Sequence, residues 1–172
     1  MEIHAKLCIL RPFHESDIPR LVELANNRKV WRNLMDGFPH PYTISDAEQW
    51  IEHCAYNMDA PLDLAIEMNG EFAGGIGCKI LGDVLRHTRE VGYWLGEPYW
   101  GQGVATDALE AWTRHLFADP EVHRCQAHVF GWNKSSARVL EKCGYRHEGT
   151  LRDAFFKDGV FTDALYYGRL RP

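Results

Sequence analysis

The stretch from Gly92 to Thr106, Gly-Tyr-Trp-Leu-Gly-Glu-Pro-Tyr-Trp-Gly-Gln-Gly-Val-Ala-Thr, constrains this chain more than any other, because an apolar strand pattern runs directly into a glycine-rich turn that opens a helix. Gly101 and Gly103 remove the side chains that would hold a ligand off the backbone. The helix start adds N–H groups without intrahelical acceptors at the positive end of its dipole. Such a turn suits an anion, and a diphosphate fits it. The spacing is neither Gly-x-x-x-x-Gly-Lys-Ser/Thr nor Gly-x-Gly-x-x-Gly, since Thr106 stands where the last glycine of the dinucleotide fingerprint belongs. Phosphate is indicated, but neither an NTPase nor a dehydrogenase.

Around this turn the pattern alternates between the two periods of regular structure. Lys6 to Leu10 reads as a strand, followed by a helix capped by Ser16 or Asp17 with Ile18, Leu21, Val22 and Ala25 on its apolar face. A short helix is expected near Arg28 to Leu34. The two prolines of Asp36-Gly37-Phe38-Pro39-His40-Pro41-Tyr42 exclude regular helix there, and Ser45-x-x-Glu48 is a capping box for the next helix. Leu62–Met68 and Glu71–Leu81 form a hairpin across Asn69-Gly70. A strand spans Arg89 to Leu95, a helix Gly103 to Phe117, a strand Cys125 to Phe130, and a helix Asn133 to Cys143. A closing hairpin turns at Asp158-Gly159. The order βααα βββ α β α ββ predicts an α/β fold with a single seven-stranded mixed sheet and helices on both faces.

At 172 residues one domain, 1–172, is expected. No basic apolar leader and no run of about 18 apolar residues is present, so neither a membrane partner nor export is expected and the cytoplasm is the predicted location. Five cysteines, odd in number and without CxxC pairing, read as reduced, mostly buried thiols. Of the nine histidines none has the i, i+4 spacing of a zincin, and no metal is expected. A formal charge of −5 argues against nucleic acid and suits a cationic acceptor.

A second segment sharpens the reading. Asn133-Lys134-Ser135-Ser136-Ala137-Arg138-Val139-Leu140-Glu141-Lys142-Cys143-Gly144-Tyr145 is a strand end, an Asn cap, a short helix and a glycine C-cap. Trp100-Gly101-Gln102-Gly103-Val104-Ala105 resembles the pyrophosphate motif of the GNAT superfamily of acyl-CoA-dependent N-acetyltransferases. Asn133-x-x-Ser136 with Leu140-Glu141-Lys142-x-Gly144-Tyr145 is similar to that superfamily's second coenzyme-binding segment, as found in the branch of Rim-type ribosomal-protein N-terminal acetyltransferases. Arg89-Glu90-Val91-Gly92-Tyr93-Trp94-Leu95 and Asp158-Gly159-x-Phe161-x-Asp163 also resemble that branch, so the likeness covers nearly the whole chain.

The resemblance implies transfer of an acetyl group from acetyl-CoA (coenzyme A) to a primary amine by direct attack in a ternary complex, with a peptide or protein N-terminal α-amine as the favoured acceptor. It implies that the backbone from Gln102 through Gly103, Val104, Ala105 and Thr106 holds the pyrophosphate, and that the Leu95 amide faces the thioester carbonyl. Asn133 is expected to bond the pantetheine arm, and Ser136 to sit near the sulfur as proton donor. Lys134, Arg138 and Lys142 are candidates for the 3′-phosphate, Arg138 foremost. Position 100, often Arg or Gln in the family, is Trp here. The position seven residues after Asn133, Tyr in some branches, is Leu140.

Strand alternation places Glu90 with Gly92 and Trp94 on one face, a carboxylate within an apolar strand that must reach solvent, a partner or a substrate. It is the candidate base, directly or through water; the structural alternative is an ion pair, with Arg152 or with neighbours of Arg89. Trp31, Asn33, Leu34, Phe38, Tyr42, Phe155 and Phe156 are expected, by analogy with the family's helical lid and final hairpin, to line the acceptor channel. An exposed final hairpin could pair in a homodimer. Two other functions fit the same residues: acetylation of a small amine such as a polyamine, an antibiotic or an amino acid, and a non-catalytic acyl-CoA-binding sensor.

Overall fold

The computed structural model describes residues 1–56 and 62–172. Its strands are β1 (Ile3–His4), β2 (Ile9–Arg11), β3 (Asp63–Met68), β4 (Glu71–Ile80), β5 (Thr88–Leu95), β6 (Arg124–Phe130), β7 (Arg146–Lys157) and β8 (Val160–Leu170). Its helices are α1 (Ile18–Ala25), α2 (Arg28–Trp31), α3 (Ile44–Ala55), α4 (Val104–Ala118) and α5 (Lys134–Lys142). The predicted order of elements holds, with eight strands among the described residues in place of the seven expected. The additional strand is β1, two residues paired antiparallel with β2 through Ile3↔Leu10 and His4↔Ile9. A two-residue strand carries no periodicity to read. Lys6 and Leu7, expected in a strand, lie in a bend, where the Leu7 amide donates to the Asp107 carboxylate at 2.6 Å rather than to a ladder partner.

Helix boundaries follow their caps. The box at the start of α3 is Thr43-x-x-Asp46, not Ser45-x-x-Glu48: Thr43 Oγ1 accepts the Asp46 amide at 3.3 Å and the Asp46 carboxylate accepts the Thr43 amide at 2.7 Å. A shorter acid two residues earlier closes the same reciprocal pair, and Ser45 is left to accept from Gln49. α2 stops at Trp31, one turn short of the expected Leu34.

The chain gathers into two compact units, one of Met1–Gly77 with Tyr93–Trp112 and one of Cys78–Gly92 with Thr113–Pro172. In the first, β1, β2, β3 and β4 form an antiparallel run, its last hairpin closed by Asn69 (φ 51°) and Gly70 (φ 79°) as the Asn-Gly pair requires. Leu10, Leu21, Leu64, Ile66, Leu109 and Trp112 are fully buried there. Arg11, itself buried, donates twice to Asp17 at 2.8 Å and once to Glu67.

In the second unit β5 pairs in parallel with β6, β6 antiparallel with β8, and β8 antiparallel with β7 across Asp158 (φ 56°) and Gly159 (φ 80°). A run holding both parallel and antiparallel pairs is the mixed sheet expected. Cys125, Val122 and Leu140 are buried, and Thr113 shares a 2.8 Å hydroxyl bond with Tyr145. None of the five cysteines is in a disulfide and four of them are buried.

Candidate active site

The glycine turn belongs to the first unit. Gly101 (φ 74°) and Gly103 (φ 82°) both occupy the left-handed region, so each is glycine for conformational reasons. A Cβ at Gly101 would meet nothing within 4 Å, and one at Gly103 only Leu7 at 3.5 Å. The backbone there is open to a ligand. α4 begins one residue after the expected Gly103: the Gly103 carbonyl accepts the Asp107 amide at 3.0 Å and closes the first turn. The Gln102 side chain donates to the Pro98 carbonyl at 2.7 Å and is thereby turned back onto the preceding turn.

Trp100, which the sequence reading left without a part, ties this turn to the strand before it. Its indole N–H donates to the Leu95 carbonyl at 2.8 Å. Leu95 is buried at the end of β5, and the next amide, of Gly96, donates to Ala73 at 2.9 Å. Across from it Gly74 leaves no room for a side chain against the Trp94 carbonyl. Asp107, in the first turn of α4, directs its carboxylate to the Leu7 amide. Burial, with Asp107 second, pushes the Cys8 thiol up to about 12 and keeps it protonated.

Glu90 lies in the second unit, on β5 opposite Gln126 of β6. Arg124, Gln126 and His128 alternate along one face of β6 while Cys125, Ala127 and Val129 are buried on the other. Gln126 Nε2 donates to Glu90 Oε2 at 3.2 Å, and His128 Nε2 lies 3.5 Å from the same oxygen. The Arg124 guanidinium clasps both oxygens of Glu148 and holds that carboxyl below the usual range. Gly168, opposite Gln126 on β8, makes room: a Cβ there would meet the Arg124 guanidinium at 2.5 Å. Glu90 thus has partners, and they are Gln126 and His128 rather than Arg152 or the neighbours of Arg89. The missed signal is the row of three polar residues at i, i+2, i+4 in an otherwise apolar strand.

Asn133 caps α5, its side-chain oxygen accepting the Ser136 amide at 3.2 Å. The cap is fixed from behind by the Asn133 amide on Phe130 and the Gly131 amide on Asp163, both at 2.8 Å. Arg138 is exposed and Leu140 fully buried, so the residue standing where some branches have Tyr is core.

The residues expected along an acceptor channel fall into two groups. In the first unit Trp31 stacks on His40 at 5.4 Å, and Phe38 packs on Tyr42 at 5.0 Å and on Trp94 at 5.4 Å, with Phe72 on the far side of Trp94 at 6.0 Å. Tyr42 is 5% exposed and its phenol is pushed up to about 12 by burial, which makes it the floor of this cluster. The Asn33 amide donates to the Lys29 carbonyl. Phe156 belongs to the second unit, where it is 59% exposed on β7 and packs on Phe161 at 4.9 Å.

The acetyltransferase (GNAT) domain family matches residues 8–146, and the chain therefore belongs to the GNAT acetyltransferase family. It is 28% identical over 145 residues to the SPbeta prophage-derived uncharacterized N-acetyltransferase YokL of Bacillus subtilis, covering 83% of this chain and 79% of that protein. With the ribosomal-protein-serine acetyltransferase of Escherichia coli it shares 34% over 86 residues, 50% of this chain and 48% of the relative, so it spans about half of that protein's length. Among solved structures it is similar in fold to RimL, the ribosomal L7/L12 alpha-N-protein acetyltransferase, in complex with coenzyme A. The TM-score is 0.85 at 22% identity, over 99% of this chain and 98% of that one. The α/β fold is that of the GNAT proteins.

Proposed function

We propose that residues 1–172 act as one acetyltransferase domain that moves an acetyl group from acetyl-CoA to a primary amine, with an N-terminal α-amine of a peptide or protein as the preferred acceptor and the cytoplasm as its place of action. The observation that carries this reading is the pair of left-handed glycines, Gly101 and Gly103, opening α4 with backbone exposed where a side chain would intrude. That cradle fits the diphosphate of coenzyme A. Similarity to proteins named as ribosomal-protein acetyltransferases supports the acceptor class.

Bound acetyl-CoA supplies an activated thioester; the chain's own residues supply the rest. The amides from Gln102 to Thr106 hold the diphosphate, and Arg138 answers the 3′-phosphate. The Leu95 amide polarises the carbonyl under attack. Glu90 takes the proton that the acceptor ammonium must lose; Ser136 gives its proton to the departing sulfur and regains one from the attacking nitrogen as the amide forms, while Asn133 orients the arm. An α-amine with a pKa near 8 costs roughly 1.4 kcal/mol to neutralise at pH 7 and a lysine near 10.4 roughly 4.6. One carboxylate of this kind matches the smaller cost. Trp31, Asn33, Phe38, Tyr42 and Phe156 are the proposed acceptor-binding residues.

The test is thiol release from acetyl-CoA with three acceptors: a short peptide with a free N-terminus, the same peptide N-terminally blocked and carrying one lysine, and a polyamine. The free N-terminus should react fastest, and Glu90→Gln should slow the reaction most at low pH. Preference for the polyamine would replace the acceptor with a small amine, and acetyl-CoA binding without transfer to any amine would make the chain an acyl-CoA sensor.

A further inference from the structure

His128 belongs to neither the cofactor cradle nor the expected acceptor residues, yet its position on β6 is constrained from three sides. Its side chain is 16% exposed and its Nε2 is buried without a hydrogen-bond partner, 3.5 Å from Glu90 Oε2. The ring packs at 4.1 Å against Tyr166, its cross-strand partner on β8. A buried ring nitrogen carries a desolvation cost unless something answers it, and the Glu90 carboxylate lies beside Nε2.

We propose that His128 is a positioning residue for Glu90: together with Gln126 it holds Oε2 in place. This rests on the reading of Glu90 as base. Gln126 holds Oε2 by a hydrogen bond and the His128 ring, packed in turn on Tyr166, closes the space beside the same oxygen, so the carboxylate keeps one orientation. No bond is made or broken at His128; the acceptor's proton goes to Glu90.

The neighbouring groups support this arrangement. On β6, Arg124 is committed to Glu148 of β7, and its Nε reaches Gln126 Oε1 at 3.4 Å, which fixes the amide so that Nε2 points at Glu90. From β8 the facing group is the Tyr166 ring, and from β5 it is Glu90 itself.

The test is acetyl transfer by the full-length protein, read as kcat and KM, beside the His128 ring signal of ¹³C-histidine-labelled protein in NMR, assigned from the signal lost in His128→Gln. His128→Phe, which keeps a ring against Tyr166 and removes the nitrogen beside Glu90, should lower kcat by about tenfold because the carboxylate is no longer held, and change the KM for acetyl-CoA less. His128→Gln, whose amide can donate to Oε2, should recover part of that loss. In Glu90→Gln the ring signal of His128 should move, since the carboxylate 3.5 Å from Nε2 is replaced by an amide. Wild-type kcat in a folded His128→Phe variant, or an unmoved ring signal in a folded Glu90→Gln variant, overturns the proposal. A moved ring signal with no transfer to any amine overturns the proposed function and upholds the pairing.

Discussion

The Trp100 indole nitrogen donates to the Leu95 carbonyl at 2.8 Å, so the last residue of β5 and the turn that opens α4 are held together by one side chain. A charged residue at position 100 could bind an anion directly; Trp100 instead fixes the backbone on either side of the cradle.

Trp100→Phe keeps the ring and removes the donor. The unpaired Leu95 carbonyl should cost about 1 kcal/mol of stability. Binding of acetyl-CoA should weaken by several fold, because the amides of the cradle are no longer held in register with the strand. Denaturant unfolding and calorimetry measure the two effects; unchanged affinity would show that the brace serves the fold alone.

Gly103→Ala tests the cradle itself. At φ 82° an alanine meets only Leu7, so the cost is backbone strain, about 1–2 kcal/mol, rather than a clash. The variant should remain folded at 25 °C with a lower Tm and bind acetyl-CoA at least tenfold more weakly. Equal affinity in a calorimetric titration would remove the cradle from the cofactor site.

The elements that position the site were legible because each carries local chemistry: glycines before α4, Asn133 before α5, Asn69-Gly70 and Asp158-Gly159 between strands. β1 was not, since two residues have no period, and the Thr43 box was hidden by a better-known pair of residues two positions on. The environment of Glu90 was illegible for a different reason. Gln126 meets it through the parallel pairing of β5 with β6, 36 residues apart, and no spacing rule connects two strands separated by a helix. Tyr42 was legible as aromatic and not as buried, because the loop that carries it has no periodicity to assign a face.

Asp17 and Asp63 predict opposite pH dependences. Burial works to raise the Asp17 carboxyl, but the bidentate Arg11 guanidinium and the His14 amide outweigh it and hold the group below its ordinary 3.8. The folded value being the lower, its stabilisation is complete above that value and is lost as the pH falls through the depressed one. Asp17→Asn should therefore cost about 2–3 kcal/mol at pH 7, since Arg11 keeps Glu67, and the gap from wild type should close only below about pH 4. A gap independent of pH would show that the charge on Asp17 is immaterial.

Asp63 on β3 is raised by burial to about 6, with His53 opposing weakly. Here the folded value is the higher, so stability is greatest at low pH and falls as the pH rises from about 3.8 to about 6, by up to about 3 kcal/mol. Asp63→Asn should raise Tm at pH 7.5 and make no difference below pH 4. Thermal melts at both pH values read this directly, and a lower Tm for the variant at pH 7.5 would mean that the carboxylate has a partner worth more than its burial.

Ser136 separates a cap from a catalyst. Asn133 accepts the Ser136 backbone amide, a bond that Ser136→Ala keeps. Ser136→Ala, which keeps the capping bond, should lower Tm less than Asn133→Ala, which removes it and should cost about 1 kcal/mol. In transfer assays Ser136→Ala should lower kcat by about 10-fold to 100-fold and change the KM for acetyl-CoA less, since the lost proton matters when charge develops on the sulfur and not in the ground-state complex. If kcat is unchanged while Tm holds, the departing thiolate is protonated by another group or by water, and Ser136 is only the third residue of a capped helix.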